Sequence, residues 1–153
     1  MTKTRAYVAI GANLGDARAA VLRAMADLDA VPETRVVARS SLYRSAPVDA
    51  AGPDFINAVV ELETALGPEA LLHALQRLEA GAGRERPYRN APRTLDLDLL
   101  IHGDSVRSTE VLTVPHPRIA QRAFVLLPLA EIAPDRVTLG QLRQVSGQQI
   151  ERL

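Results

Sequence analysis

Hydrophobic and polar positions along this chain follow two periods, and the alternation between them predicts the elements. Arg5–Gly11 is a short apolar run that reads as a strand, and Gly11–Gly15 reads as a turn. Asp16 is placed to cap a helix that turns Val21, Leu22, Met25 and Leu28 inward and stops before Pro32. Thr34–Tyr43 reads as one second strand, and Ser45–Asp54, with Pro47, Gly52 and Pro53, as a loop. Phe55–Thr64 alternates cleanly. Ile56, Ala58, Val60 and Leu62 fall on one face, and Phe55, Asn57 and Val59 on the other. Pro68 opens a second helix, whose stripe of Leu71, Leu72, Leu75 and Leu78 has helical spacing. A further strand at Asp96–Ile101 ends in the turn signal His102–Asp104. Helical patterns resume at Pro117–Ala133, and Thr138 is placed to cap a short last helix.

The order β-α-β-β-α-β describes an α+β, ferredoxin-like fold: an antiparallel sheet with both helices on one face and extra C-terminal helices. Residues 1–153 are expected to form one domain. The sheet face away from the first two helices is then left for loops, the C-terminal helices and a ligand. Phe55 and Asn57 are expected on that face.

Chemistry enters at Arg93–Leu100, RTLDLDLL. In a strand, Asp96 and Asp98 share a face with Leu100, while Leu95, Leu97, Leu99 and Ile101 point to the core. Two carboxylates about 7 Å apart on one face repel each other and invite cations. Their span suits two Mg²⁺ ions about 3.5–4 Å apart. A bare Asp-x-Asp is more commonly a solvated strand face. The preceding segment, Gly81–Arg93, shifts that balance. Its Arg84, Arg86, Arg89 and Arg93, punctuated by Gly and Pro, predict a mobile loop rich in bidentate phosphate donors. No Walker Gly-x-x-x-x-Gly-Lys-Ser/Thr sequence occurs, so phosphate binding falls to metals and arginines.

Composition narrows the partners. The net charge is zero and aromatic residues are 3%, which argues against a nucleic-acid surface. Cys is absent, which removes thiolate chemistry and Cys-based zinc sites. No apolar run approaches membrane-spanning length and no leader is evident, so a cytoplasmic protein is expected. His73 and His102 read as surface residues.

Five strings, AIGANLGD, SSLYRSAPV, GPDFINAVVELET, APRTLDLDLLIHG and LTVPHPRIAQRAFVLLPLAEIAPD, together resemble hydroxymethyl-dihydropterin pyrophosphokinase of folate biosynthesis. The resemblance runs in order from about Ala6 to Asp135, and the pair RTLDLDLLIHG and TVPHPR is its most specific part. It implies transfer of the β,γ-diphosphate of ATP to the hydroxymethyl group of 6-hydroxymethyl-7,8-dihydropterin, releasing AMP. It also implies two Mg²⁺ ions and a monomer. Asp96 and Asp98 match the metal-binding aspartates, and Arg84 and Arg93 the loop arginines that contact phosphates. Leu72, Gln76, Glu79, Arg89, Leu99, Thr113, His116 and Arg122 match further ATP contacts. Ser45, Ala46, Val48, Phe55, Asn57 and Phe124 match the pterin pocket, with two aromatic planes around the ring and an amide at its edge. The chain departs from the pattern in having no Trp, where well-studied members carry one near the position of Asn90. Pro117 also stands where an aromatic is usual.

Two other readings remain at this stage. An RNA-binding sheet would stack bases on aromatics and carry positive charge, and this chain is poor in both. A nucleotide-sensing domain would bind ATP at the same carboxylates without transfer.

Overall fold

The computed structural model describes residues 3–47, 52–82 and 95–153. Val48, Asn90 and the loop arginines Arg84, Arg86, Arg89 and Arg93 lie outside the described residues.

The chain runs β1 (Thr4–Ala12), α1 (Ala17–Asp29), β2 (Thr34–Arg39), β3 (Tyr43–Ser45), β4 (Phe55–Thr64), α2 (Pro68–Ala82) and β5 (Asp96–His102). A small hairpin, β6 (Arg107–Ser108) and β7 (Thr113–Val114), follows, and then α3 (Ala123–Ile132), α4 (Leu139–Gln144) and β8 (Ile150–Arg152). The main sheet is six-stranded, ordered β5-β1-β4-β3-β8, with β2 also paired to β4. Its pairings are all antiparallel. This is the ferredoxin-like α+β arrangement, extended by β3, β8 and the helices α3 and α4.

The local causes are those the sequence carries. Asp16 accepts the Ala19 N–H at 3.1 Å and so satisfies one orphan donor at the start of α1. Thr138 and Gln141 form a reciprocal capping box on α4. Alternation along β1 and β4 splits the molecule into two layers. Val8, Ile10, Val60, Leu62, Leu97 and Leu99 pack with Val21, Leu28, Leu71 and Leu75 of the two helices. On the other face Tyr7, Ala9, Val59, Leu100 and Ile101 pack with Val125 and Leu129 of α3.

Several expectations are corrected by register. Thr34–Tyr43 is not one strand, because Ser40 interrupts it. Its hydroxyl accepts the Val59 N–H at 2.9 Å, and its own N–H donates to the Val59 carbonyl at 2.9 Å. A side chain thus replaces a ladder partner, and the chain reaches β3 one residue out of step. In β5, Tyr7 pairs with Ile101 while Val8 pairs with Leu99, which leaves Leu100 as a bulge. Ile101 therefore turns to the α3 side with Leu100 instead of joining Leu97 and Leu99. Leu22 is exposed, and Ala24 takes its place in the buried face of α1. His102 is buried and not a surface residue; His73 is exposed as expected. The His102 Nε2–H donates to the Leu66 carbonyl at 2.8 Å, and Nδ1 lies 3.2 Å from the Ser105 hydroxyl.

Candidate active site

α3 covers only part of the free sheet face. Beyond its first turn the strands β1, β4 and β5 lie open, and the opening is a cavity of about 350 Å³. Its floor is the row Asp96–Gly11–Asn57, set by the pairing of β1 with β5 and β4. Asp98 lines it from β5, Phe55 from β4, Ser45 and Ala46 from the end of β3, and Arg122 and Phe124 from the start of α3. Eight residues singled out in the sequence are thus brought together: Ser45, Ala46, Phe55, Asn57, Asp96, Asp98, Arg122 and Phe124.

Asn57 is buried and held. Its Nδ2–H₂ donates to the Ser45 hydroxyl at 2.7 Å, so the amide is oriented before any ligand arrives. Arg122 joins the two halves of the cavity. Its guanidinium stands 4.0 Å from the Asp98 carboxylate and 5.5 Å from the centre of the Phe124 ring. Both partners are partly solvated, so the Asp98 contact adds little stability and Arg122 keeps freedom to take another anion.

Sequence reasoning passed over Gly11, Ala9 and Ile10, which also line the cavity. A Cβ at Gly11 would lie 3.4 Å from Asn57 Oδ1 and 3.8 Å from a Phe55 ring carbon. The glycine leaves open space above the floor that a side chain would fill, in van der Waals contact with the amide. A glycine inside a strand is the signal that could have exposed it.

His116 lies near Asp98 without lining the cavity. The Leu100 carbonyl, freed at the bulge, accepts the His116 N–H at 2.8 Å. Burial lowers the His116 pKa, against the pull of Asp98 and with help from Arg122 and Arg118. Burial thus favours the neutral ring. Nδ1 accepts the Arg118 N–H at 3.1 Å, which puts the ring proton on Nε2.

The remaining residues matched to ATP contacts sit elsewhere. Leu72 packs against the helix-side core, Gln76 is exposed, and the Glu79 carboxylate accepts the Leu97 N–H at 2.9 Å. Leu99 is 3% exposed in that core, so its main chain is what it offers a ligand. Thr113 is exposed on β7.

The donor set of the floor fits Mg²⁺. Hard carboxylate oxygens on one strand face suit an ion that takes the rest of its shell from phosphate and water. Among the described residues no third carboxylate or histidine completes a cage, which is the arrangement such an ion tolerates.

Comparison with known proteins gives the same direction. Residues 7–134 match the family described as 7,8-dihydro-6-hydroxymethylpterin-pyrophosphokinase. The 2-amino-4-hydroxy-6-hydroxymethyldihydropteridine pyrophosphokinase of Pseudomonas aeruginosa is 48% identical over 132 residues, covering 86% of this chain and 82% of that protein. The protein of the same name from Methylorubrum extorquens is 45% identical over 139 residues, covering 90% and 88%. Among solved structures, wild-type Plasmodium falciparum HPPK-DHPS with pterin and p-hydroxybenzoate superposes with a TM-score of 0.68 at 14% identity. That match covers 87% of this chain and 40% of the longer one, and it speaks for the fold alone.

Fold and relatives together define a diphosphate-transferring enzyme that uses ATP. The chain belongs to the 7,8-dihydro-6-hydroxymethylpterin-pyrophosphokinase family. No helix among the described residues is long and apolar enough to cross a membrane.

Proposed function

We propose that this chain, acting as a single domain and as a monomer, transfers diphosphate from ATP to 6-hydroxymethyl-7,8-dihydropterin in folate biosynthesis, within the cavity on the free sheet face. The observation that carries the reading is the meeting of two carboxylates with an oriented amide and two aromatic rings in one opening. A pterin is a flat ring with an amide-like edge. Phe55 and Phe124 supply planes for stacking, and Asn57, fixed by Ser45, supplies donor and acceptor at the edge. Ala46 offers the ring its backbone at the end of β3, and the sequence match extends that role to Val48.

In this reading Asp96 and Asp98 would hold two Mg²⁺ ions, which would supply charge neutralisation for the triphosphate. Arg122 then exchanges Asp98 for a phosphate oxygen, and the His116 Nε2–H is a neutral donor toward the same charge. In the reaction the pterin hydroxymethyl oxygen attacks the β-phosphorus of ATP. The bond from that phosphorus to the α,β-bridging oxygen breaks, AMP leaves and the hydroxyl proton passes to solvent. Such a transfer asks for in-line placement and charge neutralisation more than for a strong base. Leu72, Gln76, Glu79, Leu99 and Thr113, with Arg84, Arg89 and Arg93 of the loop, serve the nucleotide.

The test is AMP formation in the presence of Mg²⁺ and ATP, with and without the reduced pterin. Pterin-dependent AMP and a pterin diphosphate product are expected. ATP binding without any pterin-dependent AMP would overturn the transfer and leave the nucleotide-sensing reading.

A further inference from the structure

The match to the family ends at residue 134, yet the chain beyond it returns to the strand β3 and the helix end that line the cavity. β8 pairs with β3, and Ile150 stands opposite Ser45, the residue that orients Asn57. Two residues before β8, the Gln148 side chain reaches the start of α3. Its Oε1 accepts the Ala123 N–H at 2.9 Å, and its Nε2–H₂ donates to the Gln121 carbonyl at 2.8 Å. These two bonds bracket Arg122 along the backbone.

The residue at the start of α3 makes no capping bond of its own. Arg122 occupies the cap position in an extended conformation and its side chain leaves for the cavity. The first helical N–H would otherwise lack this partner, and the segment entering the helix would keep its 3₁₀ turn and the packing of Ile119 but lose the side-chain clamp. Gln148 supplies both the acceptor and the donor. It also lines a smaller cavity of about 200 Å³ together with Phe124, Ser45 and Ala46, three residues that line the main opening as well. Val145, buried against Ala123 and Leu126, anchors the segment, and the Gln148 N–H donates to the Val145 carbonyl at 3.0 Å.

We propose that Gln148 is a positioning residue for the pterin pocket, acting through the backbone on Arg122 and Phe124. The proposal rests on the function reading above, which places the pterin between Phe55 and Phe124. It assigns to a segment outside the family match the task of setting the separation of the two aromatic planes and the direction of the arginine.

The test compares wild type with Gln148→Met, which keeps length and removes both bonds. A control, Ser146→Ala, loses a hydroxyl bond to the Arg143 carbonyl in the same segment and touches neither Arg122 nor Phe124. Turnover is measured against pterin at saturating ATP, ATP-analogue affinity is measured without pterin, and thermal midpoints are recorded. Gln148→Met is expected to lower kcat/KM for pterin by about tenfold through Phe124, with a smaller loss of ATP-analogue affinity, about threefold, through Arg122, and with Ser146→Ala like wild type. Gln148→Glu retains the acceptor for the Ala123 N–H and is expected to recover part of the loss. Pterin kcat/KM equal to wild type in Gln148→Met overturns the proposal. So does a midpoint fall that leaves the variant unfolded at the assay temperature, or an equal loss in Ser146→Ala, since each makes the role structural. If wild type itself forms no pterin-dependent AMP, the function reading fails first and separately.

Discussion

At the scale of single residues, the cavity concentrates its chemistry in side chains whose neighbours already hold them. Asn57 is the clearest case. Its Nδ2 is committed to Ser45, and Oδ1 stands near Gly11, so the amide presents a fixed edge. Asn57→Ala should weaken pterin binding by about ten- to a hundredfold, the cost of leaving a buried ring donor or acceptor unmatched. ATP-analogue binding should stay as it was. Calorimetry with each ligand makes the comparison, and loss of ATP instead of pterin would put the ring elsewhere. Asp98→Asn keeps the shape of the floor while removing a charge, and the same holds for Asp96→Asn. Each should cut turnover by several orders of magnitude at fixed Mg²⁺, with an unchanged thermal midpoint. Turnover within a few-fold of wild type would leave the two-metal reading without its ligands. The aspartates, Phe55 and Asn57 were all legible in the sequence, because a strand's period of two assigns faces without knowledge of partners. Gly11 was not read, since a missing side chain gives no periodicity signal.

Among the elements, what the sequence concealed are the places where strands slip. Nothing in the apolar pattern of Thr34–Tyr43 reveals that the Ser40 hydroxyl will take a ladder position, nor that Leu100 will bulge. Bulges depend on the partner strand's register, which a single segment does not contain. β8 is three residues long and too short to show alternation. Its docking depends on Glu131 of α3. That carboxylate accepts the Tyr43 hydroxyl at 2.7 Å, the Ser41 N–H at 3.0 Å and the Ser41 hydroxyl at 2.9 Å, and pairs with Arg152 at 3.5 Å. Burial alone would raise the Glu131 pKa, and these donors together override it and hold the carboxyl below its ordinary range. Burial first, and then the bond to Glu131, push the Tyr43 phenol up to about 12. The two signs bound the pH range of the contact. Glu131 stabilises the fold fully above the ordinary carboxylate pKa and loses that contribution as pH falls through its lowered value. Tyr43 contributes fully below about pH 10 and loses its share as pH rises from there toward about 12. Thermal midpoints across pH should therefore show an alkaline decline that Tyr43→Phe flattens. The same substitution should cost about 1–3 kcal/mol near neutrality, through the lost bond to a charged acceptor. An unaltered alkaline slope in Tyr43→Phe would assign the decline to another group.

Across the whole molecule, the sheet separates the work of folding from the work of binding. The helices α1 and α2 pack against one sheet face over β1, β4 and β5, whereas α3 buries the other only as far as Ala9 and Val59 and then stops. The cavity exists because that second layer is short, and the first layer carries the stability that an open face forgoes. Each fully buried Leu of the first layer contributes about 1.5–3 kcal/mol. Leu75, wholly inaccessible on α2, belongs to that core. Leu75→Ala should cost about 2–5 kcal/mol, read as a midpoint lower by roughly 2–4 °C for each kcal/mol. The KM for pterin should stay within about twofold of wild type at a temperature where the variant is folded, because among the residues lining the cavity only Ile10 belongs to the core that contains Leu75. The measurement is a melting curve beside a saturation curve on the same preparation. A pterin KM that rises in step with the falling midpoint would mean that the sheet transmits strain between its faces, and the separation of layers would not hold.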